Sequence, residues 1–273
     1  MNDDILISIF GFLHLKNISN CFSVCRQFNK MANHNFYWKP QLEINFDYNL
    51  PDNNYKDKYK QHIVLNKFLL KNAFQDINET KKHKTVSVHM RKLRSLLPEF
   101  GLLFDLTSCY LDINSVKSLP YEFGLLTNLQ ILSLTGNGLK SLPSVICSLY
   151  GLQVLDLENN KLKSLPQEIK SLSNLQKLNL GGNKLTILPT DIGLLTNLQE
   201  FYLSDNKLTI LPLEIGLLTN LQDLSAGSNY LTTLPSEINL LTNLKSLYLA
   251  DNRFESLPLE ISPLTDLQIY VKI

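Results

Sequence analysis

Residue types that commonly do chemistry are present in this chain of 273 residues, but they are not grouped. Cys21 and Cys25 are four residues apart, so on a helix their thiols would lie side by side and could ligate a metal ion. A tetrahedral site needs two more ligands, and the sequence has no second cysteine pair of this kind. Because both residues fall on the apolar face of their segment, we interpret them as core residues and expect no metal site.

The histidines give no catalytic pattern either. No H-E-x-x-H or comparable grouping occurs, and the sequence lacks G-x-S-x-G, a phosphate-cradling glycine loop and a dinucleotide fingerprint. We therefore predict no catalytic residues, no cofactor and no enzyme activity, which leaves binding as the function. The five histidines are His14, His34, His62, His83 and His89.

One polar residue, an asparagine, recurs every 23 residues. Its amide has two N–H donors and one oxygen acceptor, so an inward-facing asparagine can satisfy backbone groups of its own turn and of the adjacent turn. An unpaired buried amide would cost about 1–3 kcal/mol, so we interpret the recurrence as a structural ladder. The ladder positions are Asn114, Asn137, Asn160, Asn183, Asn206, Asn229 and Asn252.

The segments around these asparagines share the pattern L-x-x-L-x-L-x-x-N-x-L-x-x-L-P-x-x-I, and an irregular copy with Val86 and Val88 at the strand positions precedes them. The alternating x-L-x-L-x part predicts a short strand with its leucines facing inward. The Leu-Pro pair predicts an extended turn, followed by a short helical or irregular return. Stacking such units would pair the strands into a parallel sheet and bury one continuous core.

This pattern resembles the leucine-rich repeat family, in the class whose 23-residue motif contains L-P-x-x-I. The resemblance covers residues 86–273, as about eight units and an incomplete ninth. It implies an α/β fold: a solenoid with a parallel β-sheet on its concave face and short helical or irregular segments on its convex side.

The concave face is the predicted site for a protein client. Strand residues between the leucines face solvent there and stack about 4.8 Å apart. Tyrosine is favoured at binding hot spots, and neighbouring acids favour a basic epitope. The alternative is that any exposed sheet face is polar, with acids that only maintain solubility. The predicted client-binding residues are Tyr110, Asp156, Glu158, Glu200, Tyr202, Asp223 and Tyr248.

Residues 1–45 predict a small all-α domain. Apolar residues in DDILISIFGFL form one helical stripe, and ISNCFSVCRQFNKMA forms a second amphipathic helix. The segment resembles an F-box through Asp3-Asp4-Ile5-Leu6, Ile9-Phe10, Leu13, Val24-Cys25-Arg26, Phe28 and Trp38, although Met1 and Asn2 replace the usual leucine and proline.

The F-box resemblance implies docking onto a Skp-type adaptor of a cullin-based ubiquitin ligase. A second domain of such proteins selects the protein to be ubiquitinated. Plain core packing is the alternative for each residue of the set. The implied adaptor-binding residues are Ile5, Leu6, Ile9, Phe10, Leu13, Val24, Phe28 and Trp38.

Between the two domains, residues 46–85 predict a polar connector followed by a helix that caps the first repeat. The net charge of +1 gives no reason to expect a nucleic acid partner. No basic leader and no apolar run of 18 residues is visible, which predicts no membrane partner and an intracellular, cytoplasmic location, with the nucleus also compatible.

The sequence therefore predicts a substrate-recognition subunit of a Skp–cullin–F-box type ubiquitin ligase. Two alternatives stay open at this point. One is a non-catalytic interaction scaffold, because L-P-x-x-I repeats resemble those of intracellular scaffolds that contact small GTPases. The other is a decoy that occupies the adaptor without delivering a client.

Overall fold

The computed structural model describes residues 84–90, 92–96, 100–101, 106–264 and 267–271. The chain divides into two units, Met1–Ile77 and Asn78–Ile273, and all described residues belong to the second unit. The predicted F-box-like domain, its adaptor-binding residues and the connector up to residue 83 lie outside the described residues. The proposed boundaries of these two segments therefore remain predictions.

In the described part of the chain, nine strands form one parallel sheet in sequence order. Neighbouring strands pair in register, so residues one repeat apart lie side by side, as Leu132 does with Leu155. This parallel solenoid confirms the fold class predicted from the repeat. The strands are β1 (Thr85–Ser87), β2 (Ser108–Tyr110), β3 (Ile131–Ser133), β4 (Val154–Asp156), β5 (Lys177–Asn179), β6 (Glu200–Tyr202), β7 (Asp223–Ser225), β8 (Ser246–Tyr248) and β9 (Gln268–Tyr270).

The core lies behind this sheet and is made almost entirely of the repeated leucines and isoleucines. The central residue of each strand from β2 to β8 is buried, and its two neighbours are mostly half-exposed. Leu178 and Leu180, for example, are fully buried in and after β5. The irregular first copy follows the same rule, since Val86 and Val88 are both buried. Alternation at a period of two therefore separates the core from the concave surface.

Each of the seven returns that follow β2 to β8 contains a 3-10 helix that begins directly after a proline. Proline fits this place because its φ is fixed near −65° and it has no N–H that would need a partner. In each helix the apolar third residue is buried, as Ile192 is in Thr190–Leu194. The 3-10 helices are Tyr121–Leu125, Ser144–Ser148, Gln167–Ser171, Thr190–Leu194, Leu213–Leu217, Ser236–Leu240 and Leu259–Ile261.

After each strand from β2 to β8, one residue adopts the left-handed backbone conformation with a positive φ. The residue just before each ladder asparagine has a φ between 51° and 67°. Glycine adopts this conformation without strain, and asparagine and aspartate tolerate it better than other residues do. These preferences explain the residue types found at most of these positions. The residues are Ile113, Gly136, Asn159, Gly182, Asp205, Ser228 and Asp251.

Candidate protein-binding surface

The repeated asparagines form a buried hydrogen-bonded ladder at the ends of the strands. In one rung, Asn183 Nδ2 donates to the carbonyls of Leu157 and Leu180, both at 3.0 Å. Its Oδ1 accepts the N–H of Leu162 at 3.0 Å. The amide thus satisfies backbone groups of its own repeat and of the preceding one. The corresponding contacts recur at Asn114, Asn137, Asn160, Asn206, Asn229 and Asn252.

A second asparagine ladder lies on the other side of the strands and is exposed. Asn197 Nδ2 donates to the carbonyl of Ser173 at 2.8 Å. We did not predict this ladder from the sequence, although its asparagine recurs in the T-N-L-Q and S-N-L-Q segments. From β5 to β8 the two ladders bind the backbone at both ends of the strands, so the concave side chains of these strands stand in fixed columns. The other members are Asn174, Asn220 and Asn243.

The seven predicted client-binding residues all occur on or directly beside the concave strands. Tyr110, Asp156, Tyr202 and Tyr248 occupy the third position of their strands, and Glu200 and Asp223 occupy the first position. Glu158 lies two residues beyond β4. The sheet does not bring the seven together in one site. It separates a group on β4 from a group on β6, β7 and β8, with Tyr110 apart on β2.

The group on β4 is engaged with polar side chains of its own face. Asp156 accepts hydrogen bonds from the Thr135 hydroxyl at 3.0 Å and from the Glu158 N–H at 2.9 Å. Asn179 Nδ2 donates to both Asp156 and Glu158, at 3.3 and 3.2 Å. These carboxylates therefore already have several partners within the chain.

Within the second group, Glu200 is paired with a lysine of the preceding repeat. Lys177 Nζ lies 2.6 Å from Glu200 Oε2, and the Tyr202 hydroxyl donates to the same oxygen at 2.8 Å. The ammonium is 4.9 Å from the centre of the Tyr202 ring. The hydrogen bond from Lys177 is the main cause of a lowered pKa at Glu200, while burial and the hydrogen bond to Glu200 raise the pKa of Tyr202.

An additional tyrosine, which we did not predict, joins the far end of the face. Tyr270 on β9 pairs in register with Tyr248, and their rings stack with centres 4.3 Å apart and planes 3° apart. A strict 23-residue step from Tyr248 would reach Val271 instead. The step into β9 is one residue shorter, so the repeat pattern alone would not have assigned Tyr270 to this surface.

Asp223 lies between these two aromatic clusters. It pairs in register with Glu200 on one side and with Ser246 on the other. Its charge adds to the effects of burial and hydrogen bonding that raise the pKa of both Tyr202 and Tyr248. Among the described residues, no hydrogen bond or ion pair to its carboxylate is found.

The described residues contain no group of three or more His, Cys, Asp or Glu side chains that could hold a metal ion. Cys109 and Cys147 are free thiols, and both are buried. Burial raises the pKa of Cys147 to about 11 and raises that of Cys109 further. Cys21 and Cys25 lie outside the described residues. Within the same described part, no helix has the length and apolarity needed to cross a membrane.

Family comparisons agree with both predicted parts of the chain. Residues 145–229 match a leucine-rich repeat region, residues 128–149 and 243–264 match the leucine-rich repeat, and residues 3–41 match the F-box-like family. The fold and the concave surface define a class of repeat proteins that typically serve as non-catalytic interaction modules. More specifically, the chain is an F-box-like and leucine-rich repeat protein.

Solved structures show the same repeat architecture. The chain is similar to a leucine-rich repeat protein of Leptospira interrogans, with 34% identity, a TM-score of 0.62 and coverage of 72% of this chain and 57% of that one. Internalin C2 of Listeria monocytogenes gives 25% identity and a TM-score of 0.61 over 69% of this chain and 80% of that one.

A third similar structure is the leucine-rich repeat ectodomain of the membrane receptor kinase GASSHO1/SCHENGEN3 from Arabidopsis thaliana, solved in complex with CASPARIAN STRIP INTEGRITY FACTOR 2. It gives 31% identity and a TM-score of 0.60, and the match covers 68% of this chain and 23% of that one. This chain thus spans little more than half of the Leptospira protein and under a quarter of the plant ectodomain. No curated protein sequence matches it significantly.

Proposed function

We propose that this protein is the substrate-recognition subunit of a Skp–cullin–F-box type ubiquitin ligase. The observation that supports this most is the F-box-like match at residues 3–41 in the same chain as a leucine-rich repeat solenoid. In this proposal the F-box-like segment binds a Skp-type adaptor, and through it a cullin. The implied contacts come from Ile5, Leu6, Ile9, Phe10, Leu13, Val24, Phe28 and Trp38.

The chain itself is not an enzyme in this proposal, and it needs no cofactor. Ubiquitin transfer is left to the other subunits, while this chain binds both the adaptor and the protein to be modified. The thiols of the described repeats are buried with raised pKa values, which makes them poor acceptors of a ubiquitin thioester at neutral pH. We propose that the protein acts inside the cell, in the cytoplasm, with the nucleus also compatible.

The concave face is the proposed client site. Tyrosines and carboxylates share this face, and the asparagine ladders fix their columns. Little conformational entropy would therefore be lost when a client binds. Acidic side chains favour a client with a basic epitope and would also accelerate encounter with it. Glu200, Tyr202, Asp223 and Tyr248 contribute most in this proposal, because they lie on three consecutive strands. Tyr110, Asp156 and Glu158 extend the surface toward the first repeats.

Adaptor binding is the direct test of the ligase proposal. The purified full chain is used to pull down a purified Skp-type adaptor, beside a variant that carries Leu6→Asp and Phe10→Asp. We expect the wild-type chain to retain the adaptor and the double variant to lose it, because two carboxylates in an apolar contact would be desolvated without a partner.

A matched control carries Ile187→Asp and Ile210→Asp, which make the same kind of change at exposed positions of the repeats. It should bind the adaptor as the wild-type chain does. Circular dichroism should show folded repeats in all three proteins. If the folded wild-type chain fails to retain the adaptor, the ligase proposal is wrong and the scaffold alternative leads.

A further inference from the structure

The ion pair between Lys177 and Glu200 shows how this surface binds a cation. Three contacts are involved: the ammonium reaches the carboxylate at 2.6 Å, the Tyr202 hydroxyl donates to that carboxylate, and the Tyr202 ring lies 4.9 Å from the ammonium. An acid and an aromatic ring thus act together on one positive charge. Both contacts attract the same positive charge, so together they favour the bound position of the ammonium more than either contact alone.

An acidic side chain and aromatic rings also border a slot over β6, β7 and β8. Tyr202 and Tyr248 stand two strands apart in one column, with the small residue Ser225 between them. Adjacent strands are about 4.8 Å apart, so the backbones of Tyr202 and Tyr248 are separated by roughly 9–10 Å, and rings that stand parallel above them would be about as far apart. Asp223 is two residues before Ser225 on β7 and therefore faces the same side.

Both walls of the slot are held in place from outside. Tyr202 is held by its hydrogen bond to Glu200 and by Lys177, and Tyr248 by its stacked contact with Tyr270. The floor is fixed as well, since the Ser225 hydroxyl is hydrogen-bonded to the Ser204 hydroxyl at 2.7 Å. A slot formed in advance in this way would lose little conformational entropy on binding.

We propose that this slot, formed by Tyr202, Ser225 and Tyr248 beside Asp223, binds the side chain of an arginine of the client. A guanidinium midway between the rings would lie about 5 Å from each, within the range of about 6 Å for cation–π contacts. Its planar shape suits a space between two aromatic walls, and it stacks on rings more readily than an ammonium does. Asp223 supplies the countercharge that Glu200 supplies to Lys177.

This inference deepens the proposed client role of the concave face and rests on it. The test uses the purified full chain without any adaptor, so its result is separate from that of the adaptor pull-down. Tyrosine rings are labelled with ¹³C, and the eleven tyrosines are assigned by single Tyr→Phe variants. The probe is the tripeptide acetyl-Gly-Arg-Gly-amide, and the matched neutral probe carries citrulline instead of arginine.

The arginine peptide should cause saturable shifts of the Tyr202 and Tyr248 ring signals, with at least fivefold weaker binding of the citrulline peptide. Asp223→Asn should reduce the affinity at least fivefold, and Ser225→Phe should abolish binding because it fills the slot. Glu237→Gln removes a charge from the convex return and should leave binding unchanged.

Three results would overturn the proposal. The first is the absence of saturable shifts at these two rings in the wild-type chain. The second is equal binding of the citrulline peptide, since the slot would then recognise shape without charge. The third is wild-type affinity in the folded Ser225→Phe variant. Adaptor binding with no peptide binding would leave the ligase proposal in place and remove only this site.

Discussion

Asn183 shows how a repeated residue can stabilise the fold without contacting another protein. Its buried amide makes hydrogen bonds to backbone groups of two repeats. We expect Asn183→Ala to lower the free energy of unfolding by about 1–3 kcal/mol, because it leaves buried backbone groups without partners. Urea unfolding measures this change.

The exposed ladder supplies a matched control for that substitution. Asn197→Ala removes an exposed hydrogen bond whose carbonyl partner can turn to water instead. Its effect should stay below about 0.5 kcal/mol, as for most surface substitutions. Equal losses from Asn183→Ala and Asn197→Ala would contradict the view that burial is what makes the inner ladder important.

The pair of Lys177 and Glu200 predicts a small dependence of stability on pH. The pKa of Glu200 is lowered in the folded chain, so its contribution is present above the unfolded value of about 4.3. That contribution is lost as the pH falls through the folded pKa. Because the side chains are more than one-third exposed, Glu200→Gln should lower stability at pH 7 by only about 0.2–1 kcal/mol.

Unfolding of the wild-type chain and of Glu200→Gln is compared between pH 7 and pH 2. The difference should shrink below pH 4.3 and disappear once Glu200 is protonated. The Lys177→Met variant should follow the same course, since it removes the same ion pair. A difference that stays constant over this range would mean that Glu200 acts through packing instead of charge.

At the scale of single residues, the sequence predicted which side of the sheet each side chain faces better than it predicted which other side chains it contacts. Alternation along a strand decides which residues face solvent, so the positions of Tyr202 and Asp223 followed from the pattern. The pairing of Glu200 with Lys177 did not, because it depends on how far a flexible side chain reaches across strands. Tyr270 was missed because the last step is one residue short of the repeat.

At the scale of elements, proline and leucine spacing predicted where the strands from β2 to β8 and the returns after them would lie. The parallel order followed because each unit can bury its leucines only against its neighbours. The 3-10 form of the return was less predictable, since short helical and irregular segments share the same apolar spacing. The observed helices are short and begin after proline, which suits the tighter 3-10 turn.

Close packing of adjacent returns predicts a strict need for glycine at certain return positions, of which Gly216 is an example. A Cβ atom on Gly216 would lie 2.5 Å from the backbone carbonyl oxygen of Glu237 in the next 3-10 helix. Backbone atoms cannot move aside easily, so we expect Gly216→Ala to destabilise the fold by about 1–3 kcal/mol. The midpoint of urea unfolding measures this loss.

The next repeat offers the control, because Asn239 occupies the same place one unit further along. This site already accommodates a side chain, so Asn239→Ala should change the midpoint little. If Gly216→Ala is equally harmless, the returns must separate more easily than the packing implies.

At the scale of the whole molecule, the proposed function assigns adaptor binding to the F-box-like segment and client binding to the repeats. The repeats form one parallel sheet, and their described residues contain no group that could hold a metal ion, while residues 3–41 match the F-box-like family. The sequence predicted both parts because each has a strong pattern. It could not predict the client, because in the proposed function client choice depends on a few exposed residues that the repeat leaves free to vary.

The most direct test of the ligase proposal is reconstitution from purified components. The full chain, a Skp-type adaptor and the adaptor-binding segment of a cullin are mixed and analysed by size-exclusion chromatography with light scattering. We predict one complex with the mass of a 1:1:1 assembly, lost in the Leu6→Asp, Phe10→Asp variant and kept in Ile187→Asp, Ile210→Asp. A folded wild-type chain that elutes alone, while adaptor and cullin elute together, would contradict the proposed function.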